Sequence, residues 1–174
     1  MASAISDFFR KKRSTQLWDA AEIYDNKLYY GGGYAADNLK ELKAHKVTHI
    51  MNVADDVPNY HPNEFTYINL RVRDMGQDEG ISRVFDQAFE KLDEIMKQDD
   101  ARVLVHCAAG RNRSATITIA YVMHRDGIQL DKALKMVTTK RRVFIMRDNR
   151  TQLLQYEKKL YGKNTLKAEA FLVT

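Results

Sequence analysis

Two hydrophobic periods alternate along the chain: short apolar runs with a repeat near two, and longer stretches with a repeat near 3.6. Residues 28–30 (LYY) read as a short strand closed by Gly31, Gly32 and Gly33, a turn-forming run. Residues 34–46 read as a helix with Leu39 and Leu42 on one face. Residues 47–53 (VTHIMNV) have the β-branched content of a strand, and 65–72 (FTYINLRV) alternate as a half-buried strand does. A polar loop at 74–80 follows. Ser82 is placed to cap the next helix, in which Phe85, Phe89, Leu92 and Met96 recur at helical spacing up to Lys97. Residues 102–106 (RVLVH) read as a central strand. Residues 114–124 (SATITIAYVMH) are apolar on nearly every face, which predicts a buried helix, and two more helices are expected over 131–139 and 148–161.

This order predicts one α/β domain, with a central, largely parallel sheet of about four to five strands and helices on both faces. The domain is expected over 22–161, with a lead-in at 1–21 and a C-terminal tail at 162–174. In such sheets ligands bind beyond the carboxyl ends of the strands, and the loop after 102–106 lies at such an end.

Composition narrows the setting. The chain has 174 residues, enough for one domain with a real core. No run approaches the ~20 apolar residues that span a bilayer, and the first residues lack the pattern of a secretory signal. The single cysteine rules out a disulfide within the chain and points to a reducing compartment, cytosol or nucleus. Charge is uneven: residues 1–100 carry 13 Lys/Arg against 18 Asp/Glu, and residues 101–174 carry 15 against 5. The basic half favours an anionic partner. The run Arg10 to Arg13 beside Phe8 and Phe9 reads as a solvated leader.

The chemistry concentrates in His106-Cys107-Ala108-Ala109-Gly110-Arg111-Asn112-Arg113-Ser114. A tight loop between a strand and a helix aims successive backbone N–H groups, and the positive end of the helix dipole, at one point. Ala108, Ala109, Gly110, Arg111, Asn112 and Arg113 therefore form a candidate phosphate cradle. Arg113 adds a planar fork that binds two phosphate oxygens. Cys107 stands at the start of this positive field, which favours its thiolate, the nucleophilic form.

Cys-x5-Arg, preceded by His and followed by Ser, resembles the protein tyrosine phosphatase superfamily, and the AAG and RS context is most similar to the dual-specificity phosphatases. The resemblance implies a catalytic domain over 22–161 that uses neither metal nor cofactor. It implies that Cys107 forms a phosphocysteine, that Arg113 grips the transferring group, that His106 orders the loop, and that Ser114 eases departure of the sulfur. It also implies a proton donor on the loop before the long helix. Asp74 is the leading candidate, 33 residues before Cys107, with Asp78 and Glu79 on the same loop.

The expected function is hydrolysis of phosphotyrosine and of phosphoserine or phosphothreonine in a phosphoprotein. The alternative is an anionic lipid, an inositol phosphate or an RNA 5′-phosphate, with nucleic acid in general set aside; a catalytically dead phospho-binding module is the third reading. Arg111 bears on this choice, because relatives acting on inositol phosphates often carry a cation there. Arg141 and Arg147 are expected on a substrate rim, near Lys140 and Arg142. Residues 145–149 depart from the Pro-Asn pair that many relatives have before the last helix.

Overall fold

A computed structural model describes residues 18–171; the Arg10–Arg13 run lies outside them. Five strands form one sheet: β1 Ala20–Tyr24, β2 Leu28–Gly31, β3 His49–Ala54, β4 Thr66–Val72 and β5 Val103–His106, in the order β1-β2-β5-β3-β4. β1 runs antiparallel to β2, and all other pairs are parallel. β5 is central. His106 is level with Gly31 of β2 on one side and with Asn52 of β3 on the other. The loop after β5 therefore leaves the sheet between the ends of two other strands.

Among the described residues, six helices cover the sheet: α1 Gly33–Asp37, α2 Leu39–Ala44, α3 Phe85–Met96, α4 Arg113–Asp126, α5 Leu130–Thr138 and α6 Arg147–Tyr161. Alternate strand residues point to opposite faces. Tyr29, Ile50 and Leu104 meet Ala35, Ala36 and Leu42 on one face. Tyr30, Met51, Val103 and Val105 meet α3 to α6 on the other. α4 is buried from Arg113 to Met123, as its apolar sequence predicts. Each fully buried Ile or Val in it contributes ~1.5–3 kcal/mol, which seats the start of this helix firmly beneath the loop.

Three local expectations are corrected. Residues 20–24, which straddle the lead-in expected to end at 21 and for which no element is expected, form edge strand β1. The helix read over 34–46 is two helices, because Asn38 leaves helical geometry (φ −83°, ψ 81°) and its side chain accepts the Glu41 N–H to cap α2. Ser82 does not cap α3; it lies in a 3-10 turn, Ile81–Val84, and its N–H donates to Gln152 Oε1. Past α6, the chain packs back on the domain: buried Glu157 accepts from the N–H groups of Leu130 and Thr165 and from the Thr165 hydroxyl, and Phe171 is buried.

Candidate active site

Cys107 follows the last residue of β5 and is 2% exposed. Its N–H donates to Gly31 O, and the N–H of Gly33 donates to Ala108 O at 2.8 Å, stitching the loop to the β2–α1 turn. The close approach depends on Gly110. Its φ is +68°, and a Cβ there would lie 2.4 Å from Gly31 C and Gly32 N. Ser114 Oγ donates to Gly31 O at 3.1 Å and lies 3.3 Å from Cys107 Sγ. A hydroxyl has one proton. Directed at Gly31 O, it leaves Oγ to accept from the thiol; swung to sulfur, it stabilises a thiolate.

His106 is fully buried beneath the loop. Its Nδ1–H donates to the Cys107 carbonyl at 3.3 Å. Burial disfavours the imidazolium and pushes the ring's pKa down to about 4, outweighing that hydrogen bond. At neutral pH His106 is therefore an uncharged donor, and it supports the loop through geometry rather than charge.

Arg113 opens α4 and is 2% exposed. Its Nη1 donates to Asp56 Oδ1 at 2.8 Å and to Val72 O at 3.0 Å; Asp55 Oδ1 lies 3.6 Å from the same nitrogen. The hydrogen bond from Arg113 holds the Asp56 carboxyl below its usual range. Buried Asn52 shapes the segment that carries both aspartates, donating to Val57 O and Asn59 Oδ1. Asp55 and Asp56 were not singled out by sequence reasoning. They stand 58 and 57 residues from Arg113, and two adjacent loop aspartates carry no signal of a partner so distant.

The loop after β4 brings Asp74 to the same place. Its Oδ1 lies 3.7 Å from Arg113 Nε and accepts from Asn112 Nδ2 at 3.2 Å, while the side chain stays 48% exposed. Asp78 turns the other way. Burial raises its pKa, but donors outweigh that and hold it below the usual carboxylate range: the N–H groups of Arg73 and Gly80 and the guanidinium of Arg83. Glu79 is exposed. Of the three carboxylates, the structure brings only Asp74 to Arg113.

Beside the loop is a cleft of about 340 Å³, lined by Asp19, Tyr34, Ala108, Ala109, Arg111, Arg141 and Arg142. Arg141 is engaged here. It pairs with the Asp19 carboxylate, and donates to Gly110 O at 3.2 Å and Ala109 O at 3.3 Å. Arg111 and Arg142 are exposed. Arg147 opens α6 and is not among the lining residues. Among the described residues, no cluster of three or more His, Cys, Asp or Glu side chains could hold a metal ion, and no helix is long and apolar enough to cross a membrane.

A buried thiol at the end of a central strand, a helix N-terminus above it and an arginine at its side define the architecture of a cysteine-dependent phosphatase. Comparison with known proteins narrows this. Residues 28–159 match the family model "Dual specificity phosphatase, catalytic domain". Dual specificity protein phosphatase 1 of Arabidopsis thaliana is 40% identical over 121 residues, 70% of this chain and 60% of that protein. Human dual specificity protein phosphatase 14 is 36% identical over 145 residues, 82% of this chain and 71% of that protein. The structure of human DUSP28 superposes with a TM-score of 0.75 at 24% identity, covering 82% of this chain and 95% of that one, a likeness of fold. The human tyrosine phosphatase-like serine/threonine/tyrosine-interacting protein superposes with a TM-score of 0.72 at 29% identity, covering 82% and 98%. The chain belongs to the dual-specificity phosphatase family.

Proposed function

We propose that this protein hydrolyses phosphotyrosine and phosphoserine or phosphothreonine in phosphoproteins through a phosphocysteine at Cys107. The observation that carries the reading is Cys107 Sγ, 3.3 Å from the Ser114 hydroxyl, at the base of a loop that opens α4. The sulfur attacks phosphorus as the ester P–O bond breaks. The backbone N–H groups of 108–112 and the Nε and Nη2 side of Arg113 hold the phosphoryl oxygens, while Asp55 and Asp56 keep the Nη1 side of that fork in place. Asp74 gives its proton to the leaving oxygen. Its carboxylate then takes a proton from the water that splits the S–P bond, and Ser114 donates to the departing sulfur. His106 holds the Cys107 carbonyl and with it the curve of the loop.

Arg111 and Arg142 supply the substrate rim in this reading. Two exposed guanidiniums in the cleft beside Ala108 and Ala109 favour a phosphorylated residue flanked by further negative charge. Arg141 braces the loop through Gly110 O and Ala109 O.

The test is a substrate panel run with wild-type protein, Cys107→Ser, and Arg111→Ala with Arg142→Ala. Phosphopeptides with acidic or doubly phosphorylated flanks should be the best substrates. The paired arginine variant should lose about 10-fold in kcat/KM on these and little on neutral-flank peptides, the size of one charged contact. Soluble inositol phosphates or phosphoinositide vesicles turned over faster than any phosphopeptide would move the substrate to that class. Phosphate release by Cys107→Ser would overturn the mechanism.

A further inference from the structure

We propose that Asn112 is a positioning residue for proton transfer, holding the Asp74 carboxyl at the mouth of the catalytic loop by bracing it against the start of α6. The proposal rests on the reading of Asp74 as the acid and concerns how that acid is held.

One side chain joins three elements. Asn112 Oδ1 accepts from the backbone N–H of Met146 at 2.9 Å and from Asn149 Nδ2 at 2.9 Å, and Asn112 Nδ2 donates to Asp74 Oδ1 at 3.2 Å. The orientation of the amide follows from chemistry. A backbone N–H only donates, so the oxygen must face Met146 and the NH₂ must face Asp74. The Asn112 backbone is fixed as well, since its carbonyl accepts from both Thr116 N–H and Thr116 Oγ1 at 2.8 Å. Asn149, the second brace, is buried.

The acid loop also rests on the same helix start, at points away from Asn112. A Cβ on Gly76 would collide with the Asp148 side chain, and one on Gly80 with the Gln152 side chain. The loop is thus docked on α6 by packing, and Asn112 couples that docked loop to the catalytic loop at the carboxyl group itself. The bond from Asn112 fixes Oδ1 of the Asp74 carboxyl, the group that carries the transferable proton in this reading. That proton goes to the ester oxygen as the P–O bond breaks. An acid held this way needs no search for its geometry at the moment of transfer.

The experiment is a double-mutant cycle of Asn112→Ala and Asp74→Asn. It is measured on a phosphothreonyl peptide, whose alkoxide leaves badly, and on 4-nitrophenyl phosphate, whose phenolate leaves well. A general acid is worth about 10²–10⁴-fold, so loss of its brace is expected to lower kcat on the peptide ~10-fold and on the aryl ester under about 3-fold. In the Asp74→Asn background, Asn112→Ala should add no leaving-group-dependent loss. Asn112→Asp is a second readout. It keeps the acceptor for Met146 and Asn149 but sets a carboxylate against Asp74, so the basic limb of the pH profile should move to higher pH. The proposal is overturned if Asn112→Ala lowers both substrates by one factor in both backgrounds, or if Asn112→Asp leaves the basic limb in place. If Asp74→Asn itself shows no leaving-group dependence, the acid assignment falls and the proposal with it.

Discussion

Lowering the pH from 7 to 5 should destabilise this protein through one buried ring. His106 is fully buried, and its pKa falls from 6.5 to about 4 on folding. Because the folded value lies below the unfolded one, the unfolded chain takes up the proton first. Stability from this group is complete above pH 6.5, declines as pH falls, and has no more to lose below about 4. Between pH 7 and 5 the integrated loss is about 2 kcal/mol, rising to ~3 kcal/mol by pH 4. Stopping at pH 5 leaves Asp56, Asp78 and Asp93 ionised, since all three are held below the usual carboxylate value. The assay is equilibrium urea unfolding of wild type and His106→Asn at both pH values. Asparagine keeps a donor near the Nδ1 position and does not titrate, and the other histidines are common to both proteins. The variant should be less stable at pH 7 but should lose less on acidification, by about 2 kcal/mol. Equal losses in the two proteins, within about 0.5 kcal/mol, would refute a buried, neutral His106.

Other consequences are local. Gly110→Ala forces the loop away from Gly31 and Gly32; a shift of ~1 Å should lower kcat about 100-fold, read on 4-nitrophenyl phosphate. Glu157→Ala strips three donors of a buried partner, and should cost about 3 kcal/mol in urea unfolding while kcat of the folded enzyme holds. Asp78→Asn weakens a carboxylate that binds Arg83 and the Arg73 and Gly80 N–H groups. It should lower stability by ~1–2 kcal/mol and leave the dependence of kcat on leaving group unchanged, in contrast to Asp74→Asn.

The loop proposed as catalytic could be read as one unit because its parts are contiguous: nine residues hold the thiol, the candidate cradle and the arginine, and flanking apolar runs mark the strand and helix. The place of Asp74 on the loop after a strand hinted at its position beside Arg113. Other parts required the fold. Ala20–Tyr24 (AAEIY) has one β-branched residue and two alanines, which are poor strand formers, so it does not announce an edge strand, and its pairing with β2 is what makes it one. The break at Asn38 did carry a signal, an Asn three residues before Glu41 as in a capping box, which the leucine spacing masked. The Arg113 clamp and the Asn112 bracket join residues 34 to 58 positions apart, and only the convergence of β3, β4 and α6 on one strand end brings them together. Arg141, which the resemblance placed on a substrate rim, lines the cleft beside the loop, and its partners there, Asp19 and two loop carbonyls, carried no signal in the sequence.

The proposed mechanism turns on a covalent phosphoryl group at Cys107. Wild-type protein should be mixed with saturating aryl phosphate, quenched in acid within the first turnover and digested, and the peptide carrying Cys107 weighed. One added phosphoryl group is expected on that cysteine, increased in amount by Asp74→Asn with a good leaving group and absent in Cys107→Ser. An unmodified Cys107 peptide, with phosphate release that persists in Cys107→Ser, would contradict that mechanism.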